Sequence, residues 1–384
     1  MTKQKRRFIL WTLIALFVAG GSLIIAYSLG YTIDYKSRDV SLTGGIFIKS
    51  ITPDVSIFLD GAFRKKTSLI LNGALLTDIP PGMHLLRIEK ENHTPWFKIV
   101  TIEPSLVIDY RNILLVPQPV PLSTSSAAEA TRFKQLTQNE NFVSGLEIKK
   151  AATSSSPQTF FLNREKSLVE KIATTTKILA ENVIVYHEKQ NGTILFVDKN
   201  GFLAQMLPGQ TPITILGRPG FFISTQPLAF VDGPRGETFV IDSGDGLFML
   251  DQDDTLRPIE RGVKALRFDT QGAKAILLKE DGITLFWLSD NPQQPFQKRG
   301  TTEKIISVNP LENKIKDARW FFGDDAHIVL RTQNGIFFTE IEGRGGRISA
   351  ELFSGGADML MTTPEKQNSI FFKKGEIIYR IDLR

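Results

Sequence analysis

The chain has 384 residues, 42% of them hydrophobic and 23% charged, a balance that excludes a disordered or collagen-like polymer and leaves room for two or more folded domains. It contains no cysteine, which excludes a disulfide framework and any thiolate metal site. The formal charge of +5 owes much to Lys3, Lys5, Arg6 and Arg7; without them 42 basic residues face 41 acidic ones, so the body is nearly neutral and does not read as a nucleic-acid binder.

Residues 8–31, "FILWTLIALFVAGGSLIIAYSLGY", carry no charge. As a helix rising 1.5 Å per residue they reach about 36 Å, enough to cross a hydrocarbon layer of about 30 Å. The lipid bilayer is therefore the expected partner of this stretch. The basic cluster before it predicts a cytoplasmic amino terminus (residues 1–31 forming tail and span) and an extracytoplasmic body. The rival reading is a cleaved signal peptide: Ala26-Tyr27-Ser28 suits cleavage, although the apolar run exceeds the usual ~7–15 residues of a signal core. Gly20-Gly21 offers a close-packing point for a second helix. Residues 32–43 read as a polar tether.

From 44 to 116 the pattern is strand and turn. "GIFIKSITPDVSIFLDGAFRKKTSLI" holds Thr52-Pro53, the alternating Val55-Ile57-Leu59 and Asp60-Gly61; "IPPGMHLLRIEKENHTPWFKIVTI" holds Pro81-Gly82, the alternating Leu86-Ile88 and Pro95-Trp96. Pro81 pre-sets φ and Gly82 accepts positive φ, as a type II turn requires. Alternation then predicts inward-facing Leu86 and Ile88, with Trp96 capping a small core. The order and spacing of these turns resemble a PEGA domain, a small β-rich module of surface and envelope proteins. The resemblance covers about 70 residues and implies a compact β-sandwich and an envelope location. It departs from the pattern at Pro53-Asp54-Val55-Ser56 and at Asn92-His93, where the pattern has Gly-Tyr. It consists of turn and core positions and assigns no ligand-binding residue.

Residues 117–160 include "PQPVPLSTSSAAEAT" (117–131) and "AATSSSPQ" (151–158), compositions suited to a linker. Residues 133–150 between them read as a strand docked elsewhere or as more linker. Residues 161–384 are predicted to be nearly all β. Eight Asn-Gly or Asp-Gly pairs mark hairpins, six of them here: Asn191-Gly192, Asn200-Gly201, Asp232-Gly233, Asp245-Gly246, Asp281-Gly282 and Asn334-Gly335. Five segments repeat the order strand, glycine turn, strand, and Gly201, Gly246, Gly282, Gly335 and Gly375 are spaced by 45, 36, 53 and 40 residues. Such periods are those of β-propeller blades. Five blades are legible, and a sixth has room within 133–180, where "SLVEKIATTTKILAE" (167–181) is ambiguous between helix and strand. A sandwich or solenoid is the competing architecture. The region is similar to bacterial envelope propellers in architecture alone.

The chemistry is sparse. His84, His93, His187 and His327 show no metal spacing, and no HExxH, nucleophile elbow or phosphate loop occurs. "EGRGGRIS" (342–349) reads as a hairpin loop, and "DSGDGLFMLDQDD" (242–254) departs from calcium-loop spacing, its Asp251, Asp253 and Asp254 reading as a solvated tip. A propeller glycosidase would need two or three acids converging from candidates such as Asp198, Asp232, Asp242, Asp251, Asp269 and Asp290, most of them at strand ends or turns, where aspartate is favoured structurally. The expectation is therefore a non-catalytic membrane-anchored envelope protein, with no catalytic residue, metal or cofactor, that organises a protein or glycan partner. A glycoside hydrolase and a subunit of an envelope assembly or transport complex are the alternatives; an exposed apolar patch would favour the last.

Overall fold

A computed structural model describes residues 3–28, 31–34, 39–68, 71–138, 142–143, 146–147, 158–172, 174–189, 191–207, 213–218, 229–241, 244, 246–292, 294, 297–307, 314–322, 324–362 and 368–383. The chain groups into two units, Met1–Ser123 with Phe337–Phe353 and Ile381–Arg384, and Thr124–Ile336 with Ser354–Arg380.

In the first unit, helix α1 (Lys3–Ser28) is long and apolar enough to cross a membrane, a description that a signal sequence near the amino terminus also meets. Its side chains are largely exposed, Trp11 and Phe17 among them, as befits a helix whose apolar surface runs all round. Thr12 satisfies its hydroxyl within the helix by donating to the Phe8 carbonyl at 2.9 Å. The stretch read as a tether contains two paired strands, Tyr31–Asp34 and Asp39–Leu42, in register Tyr31 to Leu42.

Two sheets follow. One has the order Gly73–Ile79, Gly44–Ser50, Val107–Ile113, with its central strand antiparallel to the first and parallel to the last. The other runs Ala62–Lys66, Ser56–Leu59, Gly82–Glu89, Trp96–Ile102, all antiparallel. Val55, Ile57, Leu59, Leu86 and Ile88 point inward as their alternation predicts, and join Ile46, Ile48 and Trp96 in one core. Gly82 has φ +133°, and Asp60-Gly61 has φ 53° and 81°, the doubly positive geometry of a tight hairpin. Of the eight such dipeptides Asp60-Gly61 alone shows this; Asn191-Gly192 and Asn200-Gly201 place positive φ at glycine only, Asn334-Gly335 at neither residue, and Asp245 lies outside the described residues.

The strand Trp96–Ile102 alternates strictly, with an unexpected phase. Trp96, Lys98, Val100 and Ile102 are buried, while Phe97, Ile99 and Thr101 are exposed. Lysine is thus inside and phenylalanine outside, the reverse of the transfer preference.

Among the described residues, the remaining chain holds a short two-stranded pairing, Phe142–Val143 with Leu146–Glu147, and six larger sheets. The first of the six has three strands (Gln158–Leu162, Leu168–Ile172, Thr175–Ala180), so 168–181 is β. The second (Val183–Glu188, Ile194–Asp198, Leu203–Met206, Thr214–Gly217), third (Ala229–Asp232, Thr238–Ile241, Leu247–Leu250, Leu256–Glu260) and fourth (Val263–Phe268, Lys274–Lys279, Gly282–Trp287, Thr302–Ser307) are four-stranded antiparallel meanders consistent with propeller blades. The fifth has the order Ile315–Trp320, His327–Thr332, Gly335–Glu340, Ser349–Ser354. The last places Leu122–Thr124 beside Ile377–Asp382, then Ser369–Lys374 and Met359–Thr362.

Inner strands are covered on both faces, which is why they read as continuous apolar runs: Thr238–Ile241 and Gly282–Trp287 are buried throughout, whereas the fourth strand Leu256–Glu260 is mostly open. Successive sheets share cores. Leu168 and Ala180 pack with Phe196 and Met206, Leu195 and Val197 with Phe230 and Val240, and Phe239 and Met249 with Leu277 and Phe286.

Within the stretch read as a linker, residues 127–138 form helix α2 (Ala127–Gln138). Ser126 and Glu129 make a capping box: the Ser126 amide donates to Glu129 Oε2 at 2.9 Å and the Glu129 amide to Ser126 Oγ at 3.3 Å. Phe133 anchors the helix on Met361, Phe371 and Ile378. The Ser-rich run 151–157 lies outside the described residues.

Candidate functional site

The four histidines each have a structural partner. His84 bridges two acceptors, with Nδ1 2.7 Å from Asp60 Oδ2 and Nε2 2.8 Å from the Pro80 carbonyl. Burial opposes its charge, but the hydrogen bonds to Asp60 and the Pro80 carbonyl and the Asp60 charge together outweigh that and raise its pKa, while His84 in turn lowers that of Asp60. His93 sits at its corner with Nδ1 2.7 Å from the Glu91 carbonyl. His187 Nε2 lies 2.8 Å from Asp232 Oδ1, linking the second sheet to the third, and its ring stacks on Phe230. His327 is buried with Nδ1 2.7 Å from Asp324 Oδ2.

The candidate acids are mostly engaged in their own turns. Asp198 Oδ1 accepts the amides of Asn200 and Phe202, and Asp269 Oδ1 accepts those of Ala273 and Lys274. Asp242 lies outside the described residues. Asp251 and Asp290 are brought together, but through Arg299: its Nη2 donates to Asp251 at 2.6 Å and its amide to Asp290 at 2.8 Å. Burial pushes the Asp251 pKa up, but the Arg299 hydrogen bond, the Gln252 amide and the Arg299 charge together hold the carboxyl low. A general acid needs the opposite shift. Asp253 and Asp254 diverge, the first toward Arg257 at 3.2 Å and the second accepting from Gln205 Nε2 at 2.6 Å. Among the described residues no three His, Asp or Glu side chains cluster as a metal site would require.

An open groove of about 650 Å³ lies between the second and third sheets. Lys189, Asn191, Gln205, Thr214, Gln252 and Asp254 line it with amide, hydroxyl and charged groups, over a floor that includes Met206. Gln205 and Asp254 meet across it, and Asn191 Oδ1 accepts the Thr193 amide at 3.0 Å. Hydrogen-bonding groups on an apolar base suit a peptide backbone or sugar hydroxyls. The sequence held no signal for this groove, because its residues come from separate hairpins and are ordinary strand-end polar residues.

In the first unit, the loop 341–348 is held by charge. Lys98, with 0% exposure, places its three ammonium hydrogens on Glu340 Oε1, the Glu342 carbonyl (3.0 Å) and the Gly346 carbonyl. Glu340 also accepts from Trp96 Nε1 at 2.9 Å and from the Ile348 amide at 2.9 Å. Arg344 lies 4.7 Å over the Tyr110 ring and donates to Glu342 and to the Asp109 carbonyl. A Cβ on Gly345 would meet the Ile99 carbonyl oxygen at 2.3 Å, so only glycine fits, and its φ of +70° asks for glycine as well. The glycine-rich run is thus a loop, as expected, and an anchoring one. Burial lowers the Lys98 pKa and raises that of Tyr110 to about 12.

No family model matches the sequence, and no curated protein matches it. Solved structures similar to this chain include YCF48 from Cyanidioschyzon merolae, at 12% identity and TM-score 0.32 over 59% of this chain and 78% of that one. YCF48 bound to D1 peptide gives 11% and 0.30 over 90% and 96%. A gluconolactonase from Xanthomonas campestris gives 11% and 0.30 over 57% and 82%. The likeness is to β-propeller proteins, at low score.

Proposed function

We propose that this is a membrane-anchored extracytoplasmic binding protein, combining a PEGA-like module with a six-bladed propeller, which holds a protein or glycan partner in the groove between the second and third sheets. The observation that carries the reading is the groove itself, lined mostly by amide and hydroxyl side chains, with Lys189 and Asp254 beside them. The six tandem sheets, of which the first four share cores with their neighbours, support the propeller reading. The two-sheet core with its Pro-Gly and Asp-Gly turns supports the PEGA-like module, and the basic residues before α1 support a body outside the bilayer.

The test is a photo-crosslinking residue at Gln205 of the full chain in intact cells. The expected result is a discrete adduct with an envelope protein or saccharide, lost when Asn191→Arg fills the groove. Absence of any adduct, together with glycoside hydrolysis by the purified chain, would overturn the reading.

A further inference from the structure

The outer face of the four-stranded sheet in the first unit is apolar and open. Cross-strand register aligns Phe63, Phe58, Arg87 and Phe97 in one row and Leu85 with Ile99 in the next. Met83 is 78% exposed, Phe97 56% and Ile99 60%, and the Arg87 guanidinium lies 4.8 Å over the Phe58 ring. A strand whose Lys98 is buried while Phe97 and Ile99 face out departs from the ordinary solvent-facing arrangement at three successive positions. At the edge of this face runs Arg64-Lys65-Lys66, all three exposed.

What covers the face follows from the chain between it and α1. Fifteen residues separate Ser28 from Gly44, and fully extended they would reach about 50 Å. The hairpin Tyr31–Leu42 removes most of that reach, because Tyr31 pairs with Leu42 and their Cα atoms lie about 5 Å apart. The two short connections that remain add roughly 17 Å. The module therefore begins within about 20–25 Å of the end of α1, close enough for a face of a small domain to touch a surface at that end.

We propose that this face docks on the lipid surface of the membrane that α1 enters: Met83, Leu85, Phe97 and Ile99 enter the headgroup–acyl boundary, and Arg64 and Lys66 meet anionic headgroups. Apolar side chains bordered by basic ones are the composition that partitions there. The proposal rests on the membrane-anchor part of the function proposed above and is independent of the groove.

The chain has no cysteine, so single labels are clean. Full-length protein is reconstituted in vesicles of phosphatidylethanolamine and phosphatidylglycerol, carrying an environment-sensitive fluorophore at Met83→Cys, at Phe97→Cys, at Leu75→Cys on the other sheet as control, or at Leu16→Cys within α1. The expected result is quenching by headgroup-proximal nitroxide lipid at 83 and 97, at least threefold stronger than at 75, and weakened by Arg64→Glu/Lys66→Glu. Quenching at 16 by acyl-chain nitroxide lipid without headgroup-proximal quenching at 83 and 97 overturns the proposal while leaving the anchor intact; no quenching at 16 by the acyl-chain probe overturns the anchor reading instead. A blue-shifted label at 97 that lipid nitroxides do not quench overturns it in favour of a protein partner or a second copy.

Discussion

At the scale of single residues, Lys98 decides more than its type would suggest. A buried ammonium is tolerable because three acceptors receive its three hydrogens, and because the carboxylate among them is itself held by Trp96 and the Ile348 amide. Removing one partner leaves the other charge uncompensated. Lys98→Met should therefore lower unfolding stability by about 3–5 kcal/mol in denaturant titration, and adding Glu340→Leu should recover much of that loss. His84 gives a pH dependence. Its pKa is raised by Asp60, so its contribution is fully present below about 6.5, the unfolded value, and is lost as pH rises through the higher folded value. Asp60 has the opposite sense: its pKa is lowered, and its contribution fades as pH falls below the ordinary carboxylate range. A proton NMR titration should place the His84 midpoint above 6.5, and Asp60→Asn should bring it down. None of this was legible in the sequence. Apolar residues occupy both phases of "WFKIVTI", so alternation identifies a strand without saying which side is in, and a partner for Lys98 more than 240 positions away leaves no local trace.

At the scale of elements, punctuation by Gly, Pro and Asp located the strands, and hydrophobic alternation oriented those of the small module correctly at Val55-Ile57-Leu59 and Leu86-Ile88. Two elements escaped because composition overrode pattern. "STSSAAEAT" looks like linker, yet within it Ser126 and Glu129 satisfy each other's amides and Phe133 gives the helix one apolar anchor. The outer strand Thr175–Ala180 is exposed over most of its length, so it carries no apolar period by which strand could be told from helix. For α2, Ser126→Ala should cost about 1 kcal/mol, and Phe133→Ala about 3–5 kcal/mol. Both are measurable by thermal melts, and an effect of Phe133→Ala no larger than that of Ser126→Ala would show that the helix is held by its cap rather than by its core contact.

At the scale of the whole molecule, repeated glycine turns made five sheet units legible, and the sixth emerged only when the ambiguous segment 168–181 resolved into strands. The groove was not legible, because a repeat period gives the number of sheets and says nothing of which polar ends face one another. Shared cores make neighbouring sheets depend on each other. Phe239 lies 6.2 Å from Phe286 across the boundary between the third and fourth. Phe239→Ala should therefore cost about 3–5 kcal/mol and shift a single cooperative transition of the six-sheet region, followed by hydrogen exchange; loss of protection confined to residues 229–260 would show instead that the sheets melt independently.

The last sheet joins distant parts of the chain, with the Ser125 amide donating to the Ile378 carbonyl at 2.9 Å. During translation, the strand at 122–124 emerges from the ribosome some 250 residues ahead of its neighbour. At roughly 5–20 residues per second it waits tens of seconds with an unsatisfied edge. A nonsense codon removing residues 377–382 would strand that edge permanently, making a small truncation there far more damaging to the nascent protein than its length implies.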